Sequence, residues 1–421
     1  LYSSSIIAYN FPERSPYFPM KIIHSASRIT PAFPLEISVL LDTDASLDKI
    51  LFFDIETTGF SPDSAQIYLI GCLYCKLSSA AATLPSYEKR SSVETLPSGE
   101  TSSAAETPSW QMIQWFGEKP EDEVLLLGSF FAFLKPCKAL IHYNGDAFDL
   151  SFIRSRCKLY HLDCPLSEVQ SIDLYRKIRP WKGALSMPAL KQKAVETFLS
   201  IRREEDFTGR QLIAAYQDYC SSPRNALLNL LLLHNQEDLC GLAQILPLLI
   251  YTKLPGLSFS LTGHGIEETE KIREGNGSSL KLYYQSPVLF PVPFYLEGPF
   301  FAIEGNDKQI LVALPVYCGE MKYFYPDVQN YYYLPFEDMA VHKSVGNYVA
   351  RDARKKATPK TCYTRKTGQF FPQPENLYLP AFQHAYKSRP CYAEYSAECF
   401  SDLSAADTFI RQLFLTLPVF S

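Results

Sequence analysis

Leu51-Phe52-Phe53-Asp54-Ile55-Glu56-Thr57-Thr58-Gly59 is the stretch that decides how this chain is read. It is a short apolar strand carrying two carboxylates two residues apart. Side chains alternate along a strand, so Asp54 and Glu56 point to one face. Two like charges side by side repel unless a cation sits between them. Thr57, Thr58 and Gly59 then break the strand into a turn. This arrangement suits a hard, oxygen-seeking cation such as Mg²⁺ at the rim of a sheet. The same triplet also fits a strand with two solvated acids on its polar face, so its meaning depends on partners elsewhere.

Those partners come from three further places. Ala139-Leu140-Ile141-His142-Tyr143-Asn144 reads as a buried strand running into Gly145-Asp146-Ala147-Phe148-Asp149. A helix is predicted from about Leu150 to Tyr160, which sets Asp149 near its start, where free N–H groups and the dipole tolerate an anion. Leu227 to Leu249 is a long helical pattern containing His234-Asn235-Gln236-Glu237-Asp238. On that helix His234 and Asp238, four residues apart, share a face. Asp54, Glu56, Asp149 and Asp238 with one imidazole suit two-metal phosphodiester hydrolysis. In that chemistry one ion activates the attacking water and another, about 3.5–4 Å away, steadies the leaving oxygen.

Phe53–Gly59 (F-D-I-E-T-T-G), Tyr143–Asp149 (Y-N-G-D-A-F-D) and His234–Asp238 (H-N-Q-E-D) resemble, in order, the three motifs of the DEDD superfamily of 3′-5′ exonucleases. The nearest likeness is to the YprB-type ribonuclease-H-like family. The Y-N-x-x-x-F-D form also resembles the proofreading domain of family B DNA polymerases. The resemblance spans about residues 48–252. It implies an α/β fold, a ribonuclease-H-like mixed sheet flanked by helices. It implies that Asp54, Glu56, Asp149 and Asp238 are catalytic residues holding two Mg²⁺ or Mn²⁺ ions. One branch of the superfamily places a Tyr four residues before the last Asp, and the other a His five before it. Here His234 stands four before Asp238, which leaves open whether it is the general base or packs beside the site. Thr57, Asn144, Phe148 and Lys182 are the expected substrate-binding residues.

Composition bounds the class. A chain of 421 residues is long enough for two domains, and 47% hydrophobic content fits sizeable cores. A formal net charge of −5 argues against a protein that coats nucleic acid generally. It does not argue against a nuclease, whose metal ligands are acids and which needs only one basic face. Cys72 and Cys75 form a C-x-x-C on a strand, where they face opposite sides, and no second pair completes a zinc site. The 11 Cys therefore read as buried reduced thiols in a cytoplasmic protein. No run is expected to reach the length of a membrane span. The sequence begins at Leu1 rather than Met, leaving open whether the natural N-terminus lies upstream.

Along the chain, residues 1–47 are punctuated by Pro and read as an irregular extension with strand-like pieces such as Leu35–Leu41. Residues 48–254 form the expected nuclease domain: strand, turn, strand, a third strand at Trp110–Phe116, and a helix from about Glu118 to Leu134. Residues 78–109 are rich in Ser, Ala, Thr, Glu and Pro and read as a disordered insertion. Asp173 reads as an N-cap or surface acid, with contact to the site as the lesser alternative. Arg176, Lys177, Arg179, Trp181 and Lys182 suit either phosphate contact with base stacking or a solvated helix face. Arg202 to Asp206 are mixed in sign and read as a solvated turn. Tyr216 and Tyr219 read as core.

Residues 255–421 are rich in Tyr, Phe and Val between Pro and Gly breaks, which predicts a β-rich accessory domain. Within it lies a basic segment, residues 343–366, with Lys343, Arg351, Arg354, Lys355, Lys356, Lys360, Arg365 and Lys366. It suits a nucleic-acid patch or a solvated helix. The expected activity is a metal-dependent 3′-5′ exonuclease on single-stranded DNA or RNA. A structure-selective endonuclease and a non-catalytic nucleic-acid-binding protein are the alternatives.

Overall fold

The computed structural model describes residues 20–78, 107–268 and 277–420, so most of the insertion expected at 78–109 lies outside the described residues. The chain divides into two units, Leu1–Arg179 with Pro188–Leu249, and Pro180–Met187 with Ile250–Ser421.

The first unit is built on strands β1 (Met20–Ala26), β2 (Ile50–Thr57), β3 (Ile67–Ser78), β4 (Thr107–Gly117), β5 (Ala139–His142) and β6 (Gln170–Asp173). They form one mixed sheet in the order β1-β4-β3-β2-β5-β6. β2 is central, antiparallel to β3 and parallel to β5. Its first four residues are all buried because helices cover both faces. Leu51, Phe53 and Ile55 pack toward α2 (Glu123–Leu134) and α3 (Asp149–Tyr160). The opposite face of the sheet carries Tyr68, Leu69 and Phe116. They meet α6 (Gly209–Ser221) and α7 (Asn225–Ile245), with Tyr68 and Tyr216 stacked at 4.1 Å. Because β2 and β5 run parallel, their C-terminal ends open on the same edge, where open α/β sheets bind ligands.

Four readings are corrected here. The N-terminal extension is not wholly irregular: β1 pairs antiparallel with β4 and extends the main sheet. Leu35–Leu41 is not a strand, since Ile37–Leu41 is a short helix, α1. Ile37, Leu40 and Leu41 fall at i, i+3, i+4, and the last two are buried, so the helical stripe prevails over the branched side chains. Trp181 is buried against Tyr251 and Phe420, so it cannot stack on a base. Finally, the helical run Asn225–Gly256 is long and apolar enough to cross a membrane by length and composition. Yet 67% of its most apolar window is buried in the protein.

The second unit is β-rich. Strands β7 (Ser260–Glu268), β8 (Ser278–Gln285), β9 (Phe294–Glu297), β10 (Ala302–Asn306) and β11 (Gln309–Pro315) make one sheet in the order β7-β8-β11-β10-β9. β12 (Tyr317–Phe324), β16 (Tyr363–Gln373) and β17 (Cys391–Glu394) make a second. β14 (Met339–His342), β13 (Tyr331–Leu334) and β15 (Lys355–Lys356) make a third. β8 shows the reason for the fold in its burial alternation from Leu280 on, with Leu280, Leu282 and Tyr284 buried and Lys281, Tyr283 and Gln285 more exposed. Tyr284 reaches the closing helix, α9 (Leu403–Leu415), donating from its hydroxyl to the Ala406 carbonyl at 3.0 Å.

Candidate active site

The end of β2 delivers the first two carboxylates. Asp54 and Glu56 lie on the face turned toward α7, and a register irregularity follows between Glu56 and Thr57. Such a bulge re-aims side chains at a strand end. The Thr57 hydroxyl donates to the Gly59 carbonyl at 2.8 Å, tightening the turn.

The loop after β5 delivers the third. Asn144 takes a left-handed φ of 59°, a conformation Asn tolerates better than most residues. Its carbonyl accepts from the Phe148 N–H at 3.2 Å, and its own N–H donates to Asp173 Oδ1 at 2.9 Å. Gly145 is required beside it, because a Cβ there would lie 2.6 Å from His142 Nδ1. Asp149 opens α3 and is buried. Burial is the largest influence on its carboxyl and raises its pKa to about 7. Asp173 and Asp238 push the same way, against donation from the Asp149 and Ile55 N–H groups. Asp173 caps α4 (Leu174–Ile178), as expected of an N-cap, but it is buried rather than on the surface.

α7 delivers the rest. His234 Nε2 lies 3.2 Å from Asp238 Oδ2 and 3.5 Å from Glu56 Oε1. Ligand atoms of Glu56, His234 and Asp238 all lie within 4.8 Å of one another. Burial first, and then Asp238 and Asp149, raise the Glu56 pKa well above the ordinary carboxylate value. Asp54 is raised in the same way by burial, Asp238, Asp149 and Glu56. The four expected carboxylates therefore sense one another and form one site.

Several residues at this site were not expected. The mixed charges of Arg202 to Asp206 suggest a solvated turn, but the structure turns Arg203 and Glu205 inward. The His234 Nδ1 proton is directed at Glu205 Oε1, 2.7 Å away, which leaves Nε2 facing the carboxylates. Glu205 is buried, yet its pKa is lowered. Burial opposes this, but the Phe207 N–H and His234 outweigh it. Arg203 bridges Glu196 Oε1 and Asp238 Oδ1, each 2.6 Å from Nη2. Glu196 sits on α5 (Gln192–Phe198) and needs Gly241, where a Cβ would lie 1.9 Å from its Oε1.

Asn235 was also missed. It is 0% exposed and follows His234 in sequence. Its amide donates to Asp54 Oδ2 at 2.8 Å, while its Oδ1 accepts from Gln114 Nε2 at 2.8 Å. Gln114 Nε2 donates also to the Leu232 carbonyl at 2.9 Å. The only sequence sign of this arrangement is Gly71 in the middle of β3, where a Cβ would lie 2.0 Å from Asn235 Oδ1.

The expected substrate-binding residues separate. Thr57 ends β2 next to Glu56, and Asn144 lies on the loop between β5 and Asp149. Phe148 precedes Asp149 and meets Phe60 edge-on at 6.3 Å, and Phe60 itself is 87% exposed. Lys182 belongs to the segment 180–187 that clusters with the second unit. Arg176 and Lys177 are committed to Asp146 at 2.7 Å and Asp42 at 3.0 Å.

The donor set fits divalent metal. Asp54, Glu56, Asp149 and Asp238 present hard oxygens, and burial together with the neighbouring carboxylates raises the pKa values of Asp54, Glu56 and Asp149, a cost of gathered negative charge that a cation relieves. Residues 51–98 and 100–250 match the RNase_H_2 family, of the RNase H superfamily. No curated protein matches the chain. The matched span contains every residue of the acidic cluster and supports a nuclease-type, divalent-metal-using enzyme with nucleic acid as substrate. Its sheet, its helices and its sequence make residues 51–250 a ribonuclease-H-like domain.

Proposed function

We propose that this domain is a 3′-5′ exonuclease that hydrolyses single-stranded DNA or RNA with two divalent ions, Mg²⁺ or Mn²⁺. The observation that carries this reading is that Asp54, Glu56, Asp149 and Asp238, from β2, α3 and α7, come close enough to influence one another, with His234 Nε2 beside Glu56 and Asp238. Asp54, Glu56, Asp149 and Asp238 hold the ions, which supply an acidified water and charge stabilisation for the leaving oxygen. Glu205 fixes the His234 tautomer, so that Nε2 is the face that takes the proton of the attacking water. Arg203 keeps one oxygen of Asp238 occupied and so fixes the rotamer of the other. Phe60 and Phe148 form an apolar ledge one residue from Asp149, suited to the terminal base.

The test is gel analysis of 3′-labelled and 5′-labelled single strands with Mn²⁺, for the parent protein and Asp54→Ala. A ladder shortening from the 3′ end in the parent and lost in the variant is expected. Cutting of a strand blocked at its 3′ end would replace this reading with an endonuclease.

A further inference from the structure

The basic segment 343–366 is not a single helix. It breaks into α8 (Lys343–Gly346), a single helical turn at Arg351–Ala353, β15 and the start of β16. This divides its charges into two groups. Arg365 and Lys366 are neutralised, the first by Glu320 at 3.3 Å and the second by Glu394 at 2.6 Å.

A second group gathers around one ring. Tyr331 and Tyr333 pack into the small core with Ala340, Ala357 and Cys362, so alternation turns Tyr332 to the other face of β13. There Arg354 lies 4.6 Å and Lys343 5.7 Å from the Tyr332 ring centre. Lys356 is the cross-strand partner of Tyr332 and shares its face. The approach is made possible by Gly346, where a Cβ would lie 2.8 Å from the Tyr332 ring. Among the described residues, none of these three cations has a carboxylate partner, in contrast to Arg365 and Lys366. Beside them, on the turn that follows α8, Tyr348 is 91% exposed.

Two cations over one aromatic ring, with a third on the same sheet face, repel one another, and an anion relieves that repulsion. We propose that the Tyr332 face of β13 and β15 binds the phosphate backbone of single-stranded nucleic acid, with Tyr348 available to stack on a base. The polymer is preferred over a single small anion because the cations are spread over separate elements, while the exposed aromatic offers a base a π-face. Choosing nucleic acid as the source of phosphate rests on the nuclease reading of the first unit.

Binding of a fluorescent single strand, measured without metal against salt concentration, tests this separately from cleavage. A triple variant, Lys343→Ala with Arg354→Ala and Lys356→Ala, should bind more weakly. Its plot of log affinity against log salt should be shallower by about 2, at ~0.7 for each phosphate contact removed. The double variant Arg365→Ala with Lys366→Ala removes cations that are already paired and should leave the slope unchanged. Thermal melting confirms that each variant is folded. The proposal is overturned if the triple variant keeps the parent slope, or if the double variant loses as much. It is overturned too if the parent binds no strand, or binds phosphatidylserine vesicles in preference. Cleavage of a labelled strand with Mn²⁺ is scored independently, so a catalytically inert protein that still binds through this face breaks only the nuclease reading.

Discussion

A single buried carboxylate and a cluster of four lie in the same domain and are treated in opposite ways. Glu123, at the start of α2, is fully enclosed but completely answered. Arg156 donates to it from Nε at 2.9 Å and from Nη2 at 2.5 Å, the Tyr160 hydroxyl at 2.7 Å and the Ile67 N–H at 2.9 Å. Asp54, Glu56 and Asp149 instead sense one another and Asp238, and burial first, then the neighbouring carboxylates, raises their pKa values. A fold that satisfies a buried acid so fully at one place and sets four acids against one another at another, answered only in part by Arg203 on Asp238 and Asn235 on Asp54, suits a cation at the second place. Glu123 serves architecture; the other four are the acids proposed for chemistry.

The sharpest way to break this contrast is to remove one acid from each place. Asp54→Ala should lower strand cleavage by about three orders of magnitude, several kcal/mol of transition-state stabilisation. The melting temperature of its metal-free form should be equal to or above the parent's, because a repelling charge has gone. Glu123→Ala should do the reverse. It strands Arg156 without its carboxylate and should cost about 3–5 kcal/mol of stability in urea unfolding, with turnover per folded molecule preserved. Equal loss of stability in both variants would erase the distinction.

A smaller effect concerns pH. The Asp149 carboxyl is raised to about 7 from an unfolded value of 3.8, so the folded state holds a proton that the unfolded chain releases. That contribution to stability is complete below about pH 4 and is lost as pH rises through 7. Divalent metal competes for the same oxygens and needs them deprotonated. Mn²⁺ should therefore raise the melting temperature more at pH 8 than at pH 5.5. Saturation at a hundredfold excess over Kd is worth about 2.7 kcal/mol. A shift independent of pH would mean that the metal binds elsewhere. Smaller still, Asn235→Ala should weaken Mn²⁺ binding, read by calorimetry, and cleavage by about 10–100-fold each, as expected for a residue that orients a ligand. Loss of stability with unchanged metal affinity would make Asn235 purely structural.

The parts of this site that were legible in the sequence are those with a local period. Asp54 and Glu56 share a face because a strand alternates, and His234 and Asp238 because a helix repeats. Asp149 was legible because an apolar run ends in a turn just before it. Arg203 and Glu205 were not. A mixed-charge run looks solvated until its partners Glu196, His234 and Asp238 arrive from other elements. Asn235 had a signal, though an indirect one, in a glycine on another strand. Trp181 misled in the opposite direction: an aromatic among basic residues suggests stacking, but its ring has a core of its own. The β-rich character of the second unit was legible from its Tyr, Phe and Val content between Pro and Gly breaks. Its division into three sheets was not, because strand pairing between distant segments leaves no local mark.

Gly71 sets a mechanical tolerance. With no side chain on β3 at that point, the polar head of Asn235 drops into the sheet surface like a pin into a notch. A pin fixes both the height and the rotation of the shaft that carries it, and α7 is that shaft. His234, one residue back, and Asp238, three residues on, are thereby indexed against Asp54 and Glu56. A methyl group placed in the notch lifts the pin. Gly71→Ala should therefore misalign several ligands at once although it touches none of them. The exactness of this site resides as much in a missing atom as in the acids around it.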